Sequence, residues 1–563
     1  MTPPHHTAKD RDAHEAARSA FSPGLVEALP RLGTAGSRSA LLHRADLSDA
    51  GVAASTIELN RFSLLRWLGA LGTLLMGLGG LGGGALPVVD NPWFDLPGGQ
   101  IMGRMMQTSS SVVLIGVGCL VVAWLLMGPF VGAGTKHSRI SARVIFRTFL
   151  VWAAPLFLTA PLFTQDIYSY LAHGSIVSQG LDPYAAGPVE ILGTDNHLAR
   201  SVPFIWAHSP SPYGPVALGI ASAISWITQD SIYFGVLAHR AVSFAGVIAA
   251  AWGIRALAAR CGVHGATALW LGVLNPLTIL HLIGGIHNEA VMLGFLLVGM
   301  ELGLRGVDQL AQHQRNLAGW ALFLGSSALL TCGGLVKVTG FVALGFTGMA
   351  LARLWVGNGG KRASIRAIGC AALIQTCVLV LTVAAVSLAT GIGLGWVTGQ
   401  GGAASIRSWL SVTTDIGVLS GRLAMLLNLG DHTDAILSIT RGVGLLIAGA
   451  FLVRMLWATF KGSIHPVGGL GVATLVLVLL FPVVHPWYPL WGILPLAAWA
   501  NRFFFRASVA TYCAVFSFLV LPRGLALPPG TVATIYLAAA CYFALMCGGA
   551  WLWYRWRAGR GLH

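Results

Sequence analysis

Charge is what this chain has least of. Lys, Arg, Asp and Glu make up only 10% of its 563 residues, against about 25% in a soluble domain. With 55% of the residues hydrophobic and a mean hydropathy of +0.73, a water-soluble fold, a disordered chain, collagen and a coiled coil are all excluded. Cysteine is also sparse: eight residues, scattered singly, with no C-x-x-C. Neither a zinc site nor a disulfide framework is indicated. The chain has no Walker A sequence, no kinase motif set and no dinucleotide fingerprint. A nucleotide-driven pump or a nucleotide-sugar enzyme therefore has little to stand on. No internal repeat is evident, which argues against an inverted-repeat transporter.

Apolar length is what the chain has instead. Fourteen apolar runs follow one another from Leu64–Val88 to Val532–Tyr554, several of them short against the roughly 20 residues a crossing needs. Backbone polar groups in lipid must be satisfied within the segment, so the runs are predicted as helices. The expected architecture is an all-α polytopic membrane protein, a bundle of about 14 transmembrane helices over residues 63–554. Residues 1–62 are polar, hold no apolar stretch and no secretory signal, and are expected to form a disordered cytoplasmic tail. Residues 555–563 form a short basic tail.

The net charge of +15 would suit nucleic acid in a soluble protein, but here it sets orientation. If Tyr213–Thr228 lies in the outer interface rather than crossing, 27 of the 35 Lys and Arg fall on one side, and both termini with them. If that segment crossed, the asymmetry would collapse. The positive-inside rule therefore predicts cytoplasmic termini and a large extracytoplasmic loop over 164–232, in the first half of the chain, containing interfacial helices. Nucleic acid is not an expected partner; membrane lipid is.

The candidate chemistry gathers at the outer ends of the runs. Asp166, in Thr164-Gln165-Asp166-Ile167-Tyr168-Ser169-Tyr170, is the first carboxylate after an apolar run that holds none. Partial desolvation there suits a general base. Tyr168 and Tyr170 could stack on a sugar, although interfacial tyrosines are routine in membrane proteins. His287-Asn288-Glu289 forms a polar turn between two apolar runs, able to bind sugar hydroxyls. Lys337 and Arg240 are cations in apolar surroundings, fitted to a lipid-linked phosphate or to snorkelling. His485, in His485-Pro486-Trp487-Tyr488-Pro489, could hydrogen-bond a phosphate or a sugar, while an aromatic belt explains Trp487 and Tyr488. Asp182, before Pro183, reads as turn chemistry.

In their order and on their shared side, T-Q-D-I-Y-S-Y, G-L-D-P-Y, S-P-Y-G-P, H-N-E-A, L-V-K-V-T and H-P-W-Y-P-L-W resemble the actinobacterial polyprenol-phosphate-mannose-dependent α-1,6-mannopyranosyltransferases of the GT-C superfamily. The resemblance runs from about Leu64 to the C-terminus. It implies a GT-C-like catalytic domain in the bacterial plasma membrane, with its active site extracytoplasmic. It also implies a polyprenyl-phosphate mannose donor and a mannosylated phosphatidylinositol or growing mannan as acceptor, in the α-1,6 backbone of lipomannan and lipoarabinomannan. Transfer would proceed by inverting single displacement.

On that resemblance Asp166 is the catalytic base. Lys337, with Arg240 or His485, meets the donor phosphate. Tyr168, Tyr170, His287, Asn288 and Glu289 position sugars. Relatives carry a paired acidic motif where this chain has a lone Asp166 between Gln165 and Ile167, so no metal ligand is assigned and a divalent cation stays an open possibility. Two alternatives also stay open: a glycolipid or polyprenyl-lipid transporter, and the same scaffold using another polyprenyl-phosphate sugar.

Overall fold

Ser55 opens the first helix with a capping box. Its side chain accepts from the Glu58 N–H, and the Glu58 carboxylate takes the Ser55 N–H at 2.9 Å, satisfying two of the donors that a helix start leaves orphaned. The helix therefore begins before Leu64 and takes in residues expected in the polar tail. The computed structural model describes residues 54–134, 138–356, 360–399 and 406–559; most of the expected N-terminal tail, and residues 560–563, lie outside them. The structure is 75% helical, with no strand among the described residues.

The main helices in chain order are α1 (Thr56–Gly83), α2 (Met106–Met127), α3 (Ala142–Ala153), α4 (Asp166–Ser178), α5 (Pro215–Thr228) and α6 (Ile232–Cys261). They continue with α7 (Gly265–Gly272), α8 (Glu289–Gln312), α9 (Leu317–Val336), α10 (Val342–Val356), α11 (Lys361–Thr390) and α12 (Val412–Leu426). The last five are α13 (Thr433–Lys461), α14 (Pro466–Leu480), α15 (Leu490–Trp499), α16 (Phe503–Phe516) and α17 (Pro529–Gly559). The protein is an all-α polytopic membrane protein.

Among the described residues, nine helices are long and apolar enough to cross a bilayer, fewer than the fourteen apolar runs. The other runs fold into shorter or interrupted helices. The run Ala266–Ile283 becomes α7 and a π-turn at Thr278–Gly284. In α15 all ten residues are buried. A helix that is apolar all round belongs in a protein interior as readily as in lipid, and hydropathy alone does not separate the two. The apolar segment α5 has 14 residues and spans about 21 Å, short of the roughly 30 Å hydrocarbon core. The basic residues at Arg555 continue α17 rather than forming a separate tail.

Close helix contacts hold the scaffold. A Cβ added to Gly294 of α8 would lie 2.7 Å from the Gly246 carbonyl of α6, so this pair of helices meets backbone to backbone, as small residues allow in membranes. At the opposite end of the same pair, Arg260 of α6 contacts Glu301 (3.0 Å) and Asp308 of α8, and Arg305 reaches Glu301 at 2.6 Å. Together these contacts hold the start of α8, where Glu289 lies, against α6.

Candidate active site

Two residues with left-handed backbone lead into the site. Phe163 has φ 67° and Ile286 φ 58°, and both are buried. For bulky side chains this conformation costs about 1–3 kcal/mol each, so the surroundings must impose it. The Leu162 N–H donates to the Gly284 carbonyl at 3.0 Å, and the Phe163 N–H to the Pro522 carbonyl at 2.7 Å. The first bond stitches the turn that delivers Asp166 to the turn that delivers His287, and the second ties it to the segment that precedes α17.

Asp166 is the first residue of α4, at the positive end of the helix dipole. Its Oδ1 accepts from Trp206 Nε1 at 3.0 Å, and its Oδ2 lies 3.6 Å from His287 Nδ1. The second distance is too long for a hydrogen bond. The Asp166 side chain remains 23% exposed, whereas that of His287 is 1% exposed. The carboxylate therefore has one firm side-chain donor and is open to a further one.

An aromatic wall stands behind His287. The rings of His287, His281 and His485 lie 4.1, 4.6 and 4.7 Å from that of Trp487. Beside it, Lys337 Nζ donates to Glu289 Oε1 at 2.7 Å and to Tyr488 Oη at 3.2 Å. The same ammonium lies 4.3 Å over the Tyr488 ring and 4.7 Å over Trp491. Tyr170 and Tyr213 meet edge to face at 5.3 Å, with their hydroxyls 3.4 Å apart. Tyr213 lies within electrostatic reach of Asp166, Lys337 and Glu289, and His485 within reach of all three and of His287. Burial pushes the His485 imidazole down to about 4, partly offset by Asp166, so at neutral pH it is uncharged. Lys337 and Glu289 offset one another, which leaves Asp166 as the carboxyl group of the cluster with no Lys or Arg against it.

The structure thus gathers Asp166, Tyr170, His287, Glu289, Lys337 and His485, with Asn288 half-buried between His287 and Glu289. It separates two residues expected with them. Arg240 is fully buried, and its guanidinium donates to the carbonyls of Phe157 (2.6 Å), Thr159 (2.8 Å) and Ala160 (3.3 Å). Its charge closes the chain leading to Asp166 instead of meeting a phosphate. Tyr168 is 1% exposed and donates to the Ala85 carbonyl at 2.5 Å; its ring is packing, not a sugar platform. Among the described residues no three His, Cys, Asp or Glu converge as metal ligands would. With Glu289 bound to Lys337, a divalent cation would find a single unclaimed carboxylate.

The sequence pattern described as "Alpha-(1->6)-mannopyranosyltransferase, N-terminal domain" matches residues 66–353, and "MptB C-terminal domain" matches residues 413–548. The chain is 57% identical to alpha-(1->6)-mannopyranosyltransferase B of Corynebacterium glutamicum, over 96% of this chain and 93% of that one. It is 39% identical to an alpha-(1->6)-mannopyranosyltransferase of Mycobacterium tuberculosis, over 81% and 82%. It is 33% identical to alpha-(1->6)-mannopyranosyltransferase A of the same species, over 76% and 78%. The chain belongs to the actinobacterial α-1,6-mannopyranosyltransferase family. No solved structure matches it.

A membrane mannosyltransferase needs groups that hold hydroxyls and a polar surface beside lipid. Motif reading assigns four further residues of this site no part in it. Trp206 binds Asp166 across 40 positions, with no pattern linking them. Tyr213 sits in Ser-Pro-Tyr-Gly-Pro, legible as a turn but not as a member of the cluster. His281 is hidden inside an apolar run, where a lone polar residue is itself a functional signal. Trp487 reads as interfacial belt yet supports three imidazoles.

Proposed function

We propose that the protein transfers mannose from polyprenyl-phosphate mannose to a mannosylated lipid acceptor, a mannosylated phosphatidylinositol or a growing mannan. The product is the α-1,6 backbone of lipomannan and lipoarabinomannan, made on the extracytoplasmic face of the plasma membrane by a GT-C-like domain. The observation that carries this reading is the lone open carboxylate of Asp166, beside a Lys337–Glu289 pair that neutralises itself. Outward placement rests on the distribution of Lys and Arg.

The chemistry balances with one base. The acceptor 6-hydroxyl oxygen attacks the anomeric carbon of the β-linked donor as the bond from that carbon to the phosphate oxygen breaks. The electron pair leaves with the phosphate, and Asp166 takes the hydroxyl proton. Attack from the opposite face turns β into α, the logic of inverting sugar transfer. A phosphate leaves without needing a general acid. The Lys337 ammonium has three donors and spends two in the resting site, on Glu289 and Tyr488; the third is left to meet the departing phosphate. Trp206 holds Asp166 in position, and Tyr170, Tyr213 and Asn288 contact sugar hydroxyls.

Purified protein in lipid nanodiscs, given polyprenyl-phosphate β-mannose and an α-mannoside acceptor, should form a new α-1,6-linked disaccharide unit. Linkage analysis and the anomeric NMR signal of the product decide the matter. A β-linked product would remove inversion, and consumption of no donor would remove the donor assignment. Movement of labelled lipid without a covalent product would make the protein a transporter.

A further inference from the structure

A lipid-linked donor has two parts, and the cluster accounts only for the polar one. A hydrocarbon chain tethered to a phosphate at Lys337 must leave through an apolar path. One begins a single turn away. Lys337 is followed at once by the 3-10 turn Val338–Phe341, which leads into α10. From Phe341 a furrow of about 310 Å³ runs between α10 and α11, lined on one side by Phe341, Leu344 and Gly348 and on the other by Ala372, Gln375 and Thr376. These positions share one face of each helix, at spacings of three and four residues, so the furrow follows the helix axes for about 12 Å.

Three features shape it. A Cβ at Gly348 would lie 3.3 Å from Gln375 Cγ, so the glycine leaves the width open. Gln375 is spent on α10, donating to the Leu344 carbonyl (3.2 Å) and to Thr347 Oγ1 (3.0 Å); it braces the helices instead of filling the gap. Much of α11 is exposed, with Leu373 64%, Val380 56% and Leu381 68% exposed, and its furrow positions Ala372 and Thr376 are exposed as well, so the furrow opens sideways.

Its Phe341 end approaches the site along two chains of contacts. Phe341 is four residues past Lys337, and its ring lies against the buried Trp396 at 5.9 Å. The backbone beside Trp396, at Gly395, packs against Tyr184, and Tyr184 Oη donates to the Tyr213 carbonyl at 2.9 Å. The mouth therefore lies between the residue that faces the phosphate and the tyrosine that shares its field.

We propose that the α10–α11 furrow seats the first isoprene units of the donor's prenyl chain, with Phe341 and Trp396 at the point where the chain leaves the phosphate. The proposal rests on the donor assignment above. The occupant is a single chain: the volume lies at the lower end of small-molecule sites. Chain length thereby becomes part of donor recognition, because burial of each added CH2 in the furrow tightens binding.

The test compares two donors with the same head, decaprenyl-phosphate mannose and methyl-phosphate mannose, which has no isoprene unit to seat. Ala372→Trp and Thr376→Trp place an indole in the furrow from exposed positions of α11; Leu373→Trp places one on its lipid side. The furrow variants should raise KM for the decaprenyl donor about tenfold, leave the methyl-phosphate donor unchanged, and differ from Leu373→Trp, which should behave as wild type. An equal rise for both donors, or no rise for the decaprenyl donor, overturns the proposal.

If wild-type protein uses neither donor, the donor assignment fails, and the furrow is judged by photo-crosslinking alone. A benzophenone-tagged decaprenyl phosphate should then label peptides within 341–349 and 368–379 and be displaced by untagged decaprenyl phosphate. Labelling elsewhere, or equal labelling by a tagged phospholipid that decaprenyl phosphate does not displace, makes the furrow an ordinary lipid contact and ends the idea.

Discussion

The Lys337 ammonium lies 2.7 Å from the Glu289 carboxylate, with their side chains 21% and 4% exposed. Each therefore holds the other's charge in a poorly hydrated place. Removing one member of such a pair strands the other, at a cost of about 3–5 kcal/mol, whereas replacing both with apolar groups is often tolerated. Lys337→Met and Glu289→Leu should each lower the thermal midpoint of the purified protein. The double variant should recover much of that loss yet transfer no mannose, because the cation meant for the phosphate is gone. Recovery of transfer together with stability would reduce the pair to scaffolding.

Asp166 and Trp206 make a sharper pair of tests. Asp166→Asn keeps the shape and the acceptor for the indole N–H but cannot take a proton. Turnover should fall by about 10²–10⁴, the usual worth of a general base, at unchanged protein abundance. Trp206→Phe removes only the hydrogen bond to the carboxylate, worth about 1.5–3 kcal/mol with a charged partner. It should lower kcat by about one to two powers of ten while leaving KM for the donor in place. An effect of Trp206→Phe on KM alone would mean that the ring contacts substrate rather than orienting Asp166.

How far the sequence foretold this site depends on distance along the chain. Asp166, Lys337 and His485 stand at the ends of apolar runs, where a polar residue breaks a strong pattern, and each can be singled out without a structure. Their convergence cannot be read that way, since Lys337 and Tyr488 are 151 positions apart. Trp206 lies in a loop whose composition carries no periodicity. Arg240 misleads for an instructive reason: a buried cation signals unmet need, but its partners here are backbone carbonyls, to which sequence patterns are blind. The helices show the same limit. Each apolar run becomes helical, yet hydropathy does not say whether a run such as Leu490–Trp499 faces lipid or is walled in by neighbours.

The role found for Arg240 is open to test. Its guanidinium satisfies three carbonyls of the segment running toward Asp166. Arg240→Lys keeps the charge but loses the planar fork, so fewer of those carbonyls can be reached at once. Thermal stability should drop, and turnover with it as Asp166 drifts, while KM for the lipid donor stays near wild type. A large rise in donor KM at unaltered stability would return Arg240 to the phosphate site.

Acid should loosen the protein through its buried imidazoles. His173, in α4 and outside the long apolar helices, is 2% exposed, and its ring faces only the Ser169 backbone, outside good hydrogen-bond geometry. Burial pushes it down to about 4, and His485 likewise, from an ordinary value near 6.5. The sign follows from linkage: the unfolded chain takes up these protons first, so the stability of the native state is complete above about pH 6.5 and is lost as pH falls toward 4. His173→Leu gives up at most a weak contact with the Ser169 backbone and removes one of these two groups. Thermal midpoints measured from pH 7.5 down to 4.5 should decline for wild type and decline less steeply for His173→Leu. Parallel curves would mean that His173 is hydrated and protonates freely in the folded protein.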